Sequence, residues 1–422
     1  MFYGSKALAD NILDSYLNKK SIATCEVSGR RLHHGENLID VTLNSLKWKG
    51  YEWTHRLKIL YSSRPLKSDI AYLLISDSSS GSSALDELHR ILMAAGIPTA
   101  VLLDIPNQPL FNDKREDHLI ALSFHKFLQG KDNEWPLLLP MVAATKKAME
   151  CISNTLSPLS TIPIRRFILS GSSKRGWTTW LTATNDHRVV GAIPRVFDMI
   201  NIPEQIKWTR EKYGKDSENI QAYTNLGITN KLDDPRAKEL IAGVDPYTFL
   251  SRRTLPIYNI LGSNDPYWII DGSKFYMDQV KNGTLLMVPQ GGHSLSDNPL
   301  VRNGIPSWIN LVVNGEKIPQ IKYVREINLK DKEIPGKVYN KVCVTSENAR
   351  FSEVSLFYSS AKTYDFRKAI FLGSNMQYKK KAYCAFIPLS CLESNCAYFV
   401  NGKLSGNGFT VSTIPRVVTT MN

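Results

Sequence analysis

From about residue 53 onward, short β-rich apolar runs alternate with helical segments along this 422-residue chain. That rhythm restricts the fold more than any other feature, because parallel strands need a crossover and the crossover is usually a helix. Strands are predicted over 53–61, 71–76, 98–104, 165–170, 191–196, 256–262 and 284–289. Several are near-continuous apolar runs, as strands buried on both faces are. Helices are predicted over 83–95, 137–153, 174–184, 272–281 and 298–313, with Pro136 and Gly96 as boundary signals. The fold class expected is therefore α/β, a mostly parallel sheet flanked by helices.

Two stretches fit the rhythm poorly and read as insertions, near 105–135 and 203–247, which would be either caps over a site or surface elaboration. From about residue 322 the helical periodicity fades. Alternating runs at 354–358, 383–387 and 397–400, separated by Ser, Asn and Gly, predict a small antiparallel β domain of sandwich type, with Asn401-Gly402 as a hairpin turn. The expected division is an α/β domain over 1–320 and a β domain over 321–422.

Cys25 and Cys151 stand alone, whereas Cys343, Cys384, Cys391 and Cys396 cluster. No His accompanies the four and their spacing matches no common zinc pattern, which leaves disulfides or inert thiols. A formal charge of +13 favours contact with anionic surfaces, but no basic stripe interleaved with aromatics points to nucleic acid. No apolar run of about 18 residues predicts a transmembrane helix. Residues 1–20 lack the apolar stretch of a secretory signal, so the sequence leaves a cytoplasmic or an exported location open.

The segment 165–177 runs from an apolar strand through a tight turn of small residues into a helix. A serine on such a turn is lifted clear of the backbone, over a helix N-terminus that favours developing negative charge. Ser173, with Gly171 two before and Gly176 three after, fits better than Ser172, which has Ser170 and Lys174 at the flanking positions. Arg175 departs from the usual G-x-S-x-G pattern.

A nucleophile elbow requires its acid and its base later in the chain, each on a loop after a strand. The run 255–262 ends in Ser263-Asn264-Asp265-Pro266, and the run 285–289 ends in Gln290-Gly291-Gly292-His293. Asp265 and His293 thus complete a Ser-Asp-His set, with Asp271 and Asp297 as reserve acids that follow no strand directly. His293 would act as general base toward Ser173 and Asp265 would hold the imidazole. The oxyanion would be held by the backbone N–H of Lys174 and by a second donor at Asp77 or Ser78. Such chemistry calls for no cofactor and no metal.

These residues sit in segments that resemble the family of PhoPQ-activated pathogenicity-related proteins: Gly171-Ser172-Ser173-Lys174-Arg175-Gly176-Trp177-Thr178-Thr179-Trp180, Val196-Phe197-Asp198-Met199-Ile200-Asn201, Asp245-Pro246-Tyr247 and Gly262-Ser263-Asn264-Asp265. Ile105-Pro106-Asn107-Gln108-Pro109 and Arg115-Glu116-Asp117 match as well. The resemblance covers about residues 45–320 and implies an α/β-hydrolase fold with Ser173, Asp265 and His293 as triad, but no particular substrate. It also implies export. The elbow is similar to that of glucuronoyl esterases, which suggests an ester of a sugar acid and positive charge from Lys174 near the oxyanion.

Trp177, Trp180 and Leu181 share a helix face and read as core. Asp198 and Asn201, just past a strand, would contact substrate or order a loop; Trp135, Tyr267 and Trp268 would line a pocket or pack a lid. The resulting expectation is a serine hydrolase acting on a carboxylic ester, its partner a small-molecule, saccharide or peptide ester. A peptidase or amidase on the same residues is the variant chemistry. The contrasting class is a non-catalytic signalling or binding protein on a hydrolase scaffold.

Overall fold

The computed structural model describes residues 11–64, 68–77, 81–159, 162–330, 338–406 and 408–419. Its main sheet contains β1 (Thr24–His33), β2 (Glu36–Trp48), β3 (Tyr51–Tyr61), β4 (Ile70–Ile75), β5 (Thr99–Leu102), β6 (Arg166–Ser172), β7 (Val189–Arg195), β8 (Ile257–Gly262) and β9 (Gly283–Val288). Their spatial order is β1-β2-β3-β5-β4-β6-β7-β8-β9. From β5 to β9 neighbours run parallel, while β1, β2 and β3 pair antiparallel and β3 meets β5 antiparallel. From β2 to β9 this is the strand order of an α/β-hydrolase sheet, so the α/β class expected from the rhythm and the hydrolase fold implied by the resemblance are the ones found.

Alternate residues of each strand feed opposite cores. In β6, Phe167 and Leu169 join the core beneath helices Leu138–Leu156 and Lys174–Asn185, while Ile168 faces the core beneath Gly81–Ala95 and Pro299–Val313. The seven predicted strands all occur, within three residues at each end. β1 escapes the reading because it is exposed along nearly its whole length and carries no apolar alternation, whereas β2 does alternate through buried Ile39, Val41 and Leu43.

The helix expected over 272–281 is instead two short 3₁₀ turns, Gly272–Phe275 and Met277–Gln279. The chain here is pressed against its neighbours: a Cβ on Gly272 would lie 2.6 Å from Gln205 Oε1, and the Gln205 amide donates to the Gly272 carbonyl at 3.0 Å. Tertiary contact overrides local helical preference.

Strands Phe351–Ala361, Leu372–Asn375, Asn395–Leu404, Thr410–Ser412 and Arg416–Val418 are antiparallel and continue the main sheet through the pairing of Ser412 with Leu285 of β9. A separate four-stranded antiparallel sheet, Gln320–Lys330, Val338–Glu347, Gln377–Lys379 and Ala382–Ile387, shares an apolar cluster with the extension through Val342, Val344 and Ile387 against Leu356, Tyr398 and Val400. Asn401-Gly402 is not the expected turn but mid-strand. Asn401 is buried, donating to Met287 O and accepting from Ser412 Oγ, and a Cβ on Gly402 would lie 3.0 Å from the Phe351 ring. A buried amide and a ring-covered glycine imitate turn residues in sequence alone.

All six cysteines are paired, as Cys25–Cys151, Cys343–Cys384 and Cys391–Cys396. The first pair, 126 residues apart, is the one the sequence left as two isolated thiols. No helix among the described residues is long and apolar enough to cross a membrane.

Candidate active site

Ser173 stands between β6 and helix Lys174–Asn185 with φ 57° and ψ −125°, a conformation L-residues rarely adopt. Two glycines make that turn possible. A Cβ on Gly171 would lie 2.5 Å from the Arg175 carbonyl, and one on Gly176 would lie 2.8 Å from the Arg195 carbonyl.

Asp265 and His293 follow β8 and β9, and their loops are zipped together. A Cβ on Gly262 would sit 2.3 Å from the Gly291 carbonyl, Asn264 N–H donates to that carbonyl at 2.8 Å, and Gln290 N–H donates to Ser263 Oγ at 2.9 Å. The Asn264 amide is itself held by the carbonyls of Phe366, Arg367 and Ala369. As a result His293 Nδ1 lies 2.8 Å from Asp265 Oδ2 and His293 Nε2 lies 2.9 Å from Ser173 Oγ. Asp265 is buried, its Oδ1 accepts the Tyr267 N–H at 2.9 Å, and the Tyr267 ring lies tilted against the imidazole with centroids 4.2 Å apart. The reserve acid Asp271 is engaged elsewhere, by Trp208, Lys274 and Tyr364, and Asp297 lines a cavity wall beside His293.

Lys174 opens its helix, so its N–H has no acceptor within that helix. Its ammonium, in contrast, is balanced by Glu116 at 2.8 Å and Asp117 at 3.2 Å, and adds no unopposed charge near an oxyanion. Arg175 forms a fork on Glu116, at 2.7 and 2.6 Å, and donates to the Ile105 carbonyl at 2.6 Å. Burial would raise the Glu116 carboxyl, but Arg175 and Lys174 hold it down at about 2. Asp77 lines the cavity beside Ser173 with its carboxylate 4.0 Å from the Arg175 guanidinium; Ser78 lies outside the described residues.

The other expected contacts divide. Tyr267 and Trp268 line a cavity with Ser173. Asp198 does not: it is buried, its carboxylate accepts from Tyr276, and burial followed by the nearby Asp265 and Asp271 charges, against the Tyr276 bond, pushes it well above the usual range. Asn201 takes a left-handed backbone at a helix start, its N–H bonded to Asp245, so both residues order loops. Trp135 lines none of the cavities near Ser173 and packs against Trp48, Phe111 and Lys49.

Ser173 is flanked by two cavities. One, of about 90 Å³, is walled by Phe124, Trp177, Phe197, Ile206, Ile220, Tyr223, Ala237, Leu240 and Val244, drawn largely from the two insertions. The other, of about 350 Å³, is polar, with Asp77, Asp86, Glu87, Arg90, Arg175, Arg195, Asp297 and Arg302. Beneath it Arg195 is buried against Glu87, Tyr72 and Ser170, a network with no sequence signature, since its members come from β4, a helix, β6 and β7.

A profile of the PhoPQ-activated pathogenicity-related protein family matches residues 13–367. Autocrine proliferation repressor protein A of Dictyostelium discoideum is 30% identical over 256 residues, covering 57% of this chain and 51% of that protein. The chain thus spans about half the length of that curated relative. Among solved structures, a glucuronoyl esterase from Solibacter usitatus aligns over 71% of this chain and 89% of its own, at 11% identity and a TM-score of 0.46. Acetyl xylan esterase 1 from Thermoanaerobacterium aligns over 67% and 88%, at 14% identity and 0.44. The match over most of its length makes the chain a member of the PhoPQ-activated pathogenicity-related protein family.

Proposed function

We propose that the chain hydrolyses carboxylic esters through an acyl-enzyme on Ser173. The observation that carries this reading is the single imidazole bridging Ser173 Oγ and Asp265, at 2.9 and 2.8 Å. His293 Nε2 takes the hydroxyl proton as Oγ attacks the ester carbonyl, and Asp265 stabilises the imidazolium. The Lys174 N–H, at the helix start, stabilises the oxyanion. His293 then gives its proton to the departing alkoxide, and a water activated by the same imidazole releases the acid.

The apolar cavity takes the acyl side and the polar cavity the alcohol side, because an acyl chain gains by leaving water and a hydroxylated alcohol keeps its hydrogen bonds. A fluorophosphonate probe is expected to label the protein at Ser173 and not to label Ser173→Ala. The p-nitrophenyl ester of a short apolar acid should be turned over, and amides of the same acid far more slowly. Absence of labelling in folded protein would leave the scaffold a binding module; faster amide cleavage would make it a peptidase.

A further inference from the structure

Away from Ser173, His33 ends β1 and His34 begins the two-residue turn into β2, where His33 pairs with Glu36. His34 has φ +49° and Gly35 φ +83°, the backbone of a tight hairpin turn that ordinarily carries Asn or Gly. Consecutive strand residues point to opposite faces, but this turn brings the two imidazoles together, with ring centroids 4.3 Å apart. Helix Gly81–Ala95 supplies Asp86 and His89, three residues apart and therefore on one face. The His89 ring lies 5.1 Å from His34 and 6.3 Å from His33.

One donor atom from each of His33, His34 and Asp86 lies within 4.8 Å of the others. His33 Nε2 is shielded from solvent and has no hydrogen-bond partner. A buried polar atom without a partner is costly, and such atoms call for an explanation. Donors around a tetrahedral ion sit about 3.4 Å apart, which His34 and Asp86, both exposed, reach by side-chain rotation.

We propose that His33, His34 and Asp86, with His89 beside them, form a binding site for a divalent transition metal ion. Imidazole with one carboxylate selects Zn²⁺, Co²⁺, Ni²⁺ or Cu²⁺ over Mg²⁺ and Ca²⁺, which prefer all-oxygen shells. The ion ties the hairpin to the helix. That helix also carries Glu87, which holds Arg195 under the nucleophile turn, and Asp86 and Arg90, which line the polar cavity. The site is built without any residue of the Ser-Asp-His set, so it stands independently of the proposed hydrolysis.

The test is calorimetric titration of Zn²⁺ into untagged, EDTA-treated full-length protein, with Co²⁺ absorption as a second readout. One ion per chain is expected, and His34→Ala should weaken binding at least about tenfold. The His33→Ala/His34→Ala pair should abolish binding, as should the helix-side pair Asp86→Asn/His89→Ala, which guards against a hairpin that fails to form. Zn²⁺ should raise the Tm of the wild type and not of either pair. His187→Ala, distant in sequence and exposed, and His293→Ala should bind as the wild type does. Zn²⁺ binding that survives both pairs, that is lost in His293→Ala, or that does not saturate overturns the proposal.

Discussion

The two cavities that meet at Ser173 are made of different parts of the sequence. The apolar one is roofed by helices Glu116–Gln129, Ile202–Tyr213 and Pro235–Val244, which lie inside the insertions, and it is narrow and almost without polar lining. The polar one is walled by the ends of β4, β6 and β7, by helix Gly81–Ala95 and by the His293 loop, and its lining holds four arginines and four carboxylates. The roof is set by apolar packing, with Phe124 against Tyr223 and Trp177, so its shape depends on side-chain size. Part of the polar wall, Arg195 with Glu87, belongs to the network under the Ser173 turn, so those charges are bound to the sheet itself.

The largest effect should come at the point the two cavities share. His293→Ala is expected to lower kcat/KM by about 10⁴-fold or more for every ester, whichever cavity it fills; a modest loss would remove His293 as the base that the two cavities share. Next, Ala237→Phe puts a ring into the apolar cavity. It should cut kcat/KM for hexanoate esters by about 10–100-fold while sparing acetate esters, measured as a chain-length series. Arg302→Ala on the polar rim should change KM a few-fold for esters of anionic alcohols and leave the acyl preference intact.

The smallest effect concerns Glu116, which joins Lys174 on the apolar side to Arg175 on the polar side. Burial opposes its charge, but these cations hold its carboxyl at about 2, below the ordinary 4.5. A depressed acid contributes stability that is complete above its unfolded value and fades as pH falls toward its folded one. The wild-type Tm should therefore fall between about pH 4.5 and 2 more steeply than that of Glu116→Gln, followed by melting at a series of pH values.

The sheet and the placement of Ser173, Asp265 and His293 were legible because each depends on local patterns: an apolar run, then a turn, in a fixed chain order. Glu116 was visible only as part of a motif of resemblance, and its fork on Arg175 was not, because the partners are 59 residues apart. The same distance problem hid Cys25–Cys151 and the Arg195 network. Asp198 and Asn201 stood where a substrate contact would stand, yet burial with the Tyr276 bond ties Asp198 to its loop and the bond to Asp245 does the same for Asn201. Trp135 packs away from the Ser173 cavities, a choice the sequence left open because aromatic character says nothing about which wall of a fold it joins. Read together in space, however, the motif segments converge: Ile105, Glu116 and Asp117 meet Lys174 and Arg175, and Asp245 meets Asn201 and Ile202.

At the junction of β9 with the C-terminal strands, side chains do much of what a backbone ladder would do. Ser412 Oγ accepts the Met287 N–H at 2.8 Å and the Asn401 amide donates to the Met287 carbonyl at 3.2 Å. Removal of the chain beyond residue 320 would strip both groups and leave the strand that carries His293 as a bare margin, open to pairing with another molecule. The late strands therefore cover an edge open to self-association, and a shortened protein should clump and also lose the Phe366, Arg367 and Ala369 carbonyls that hold the Asn264 loop beside Asp265.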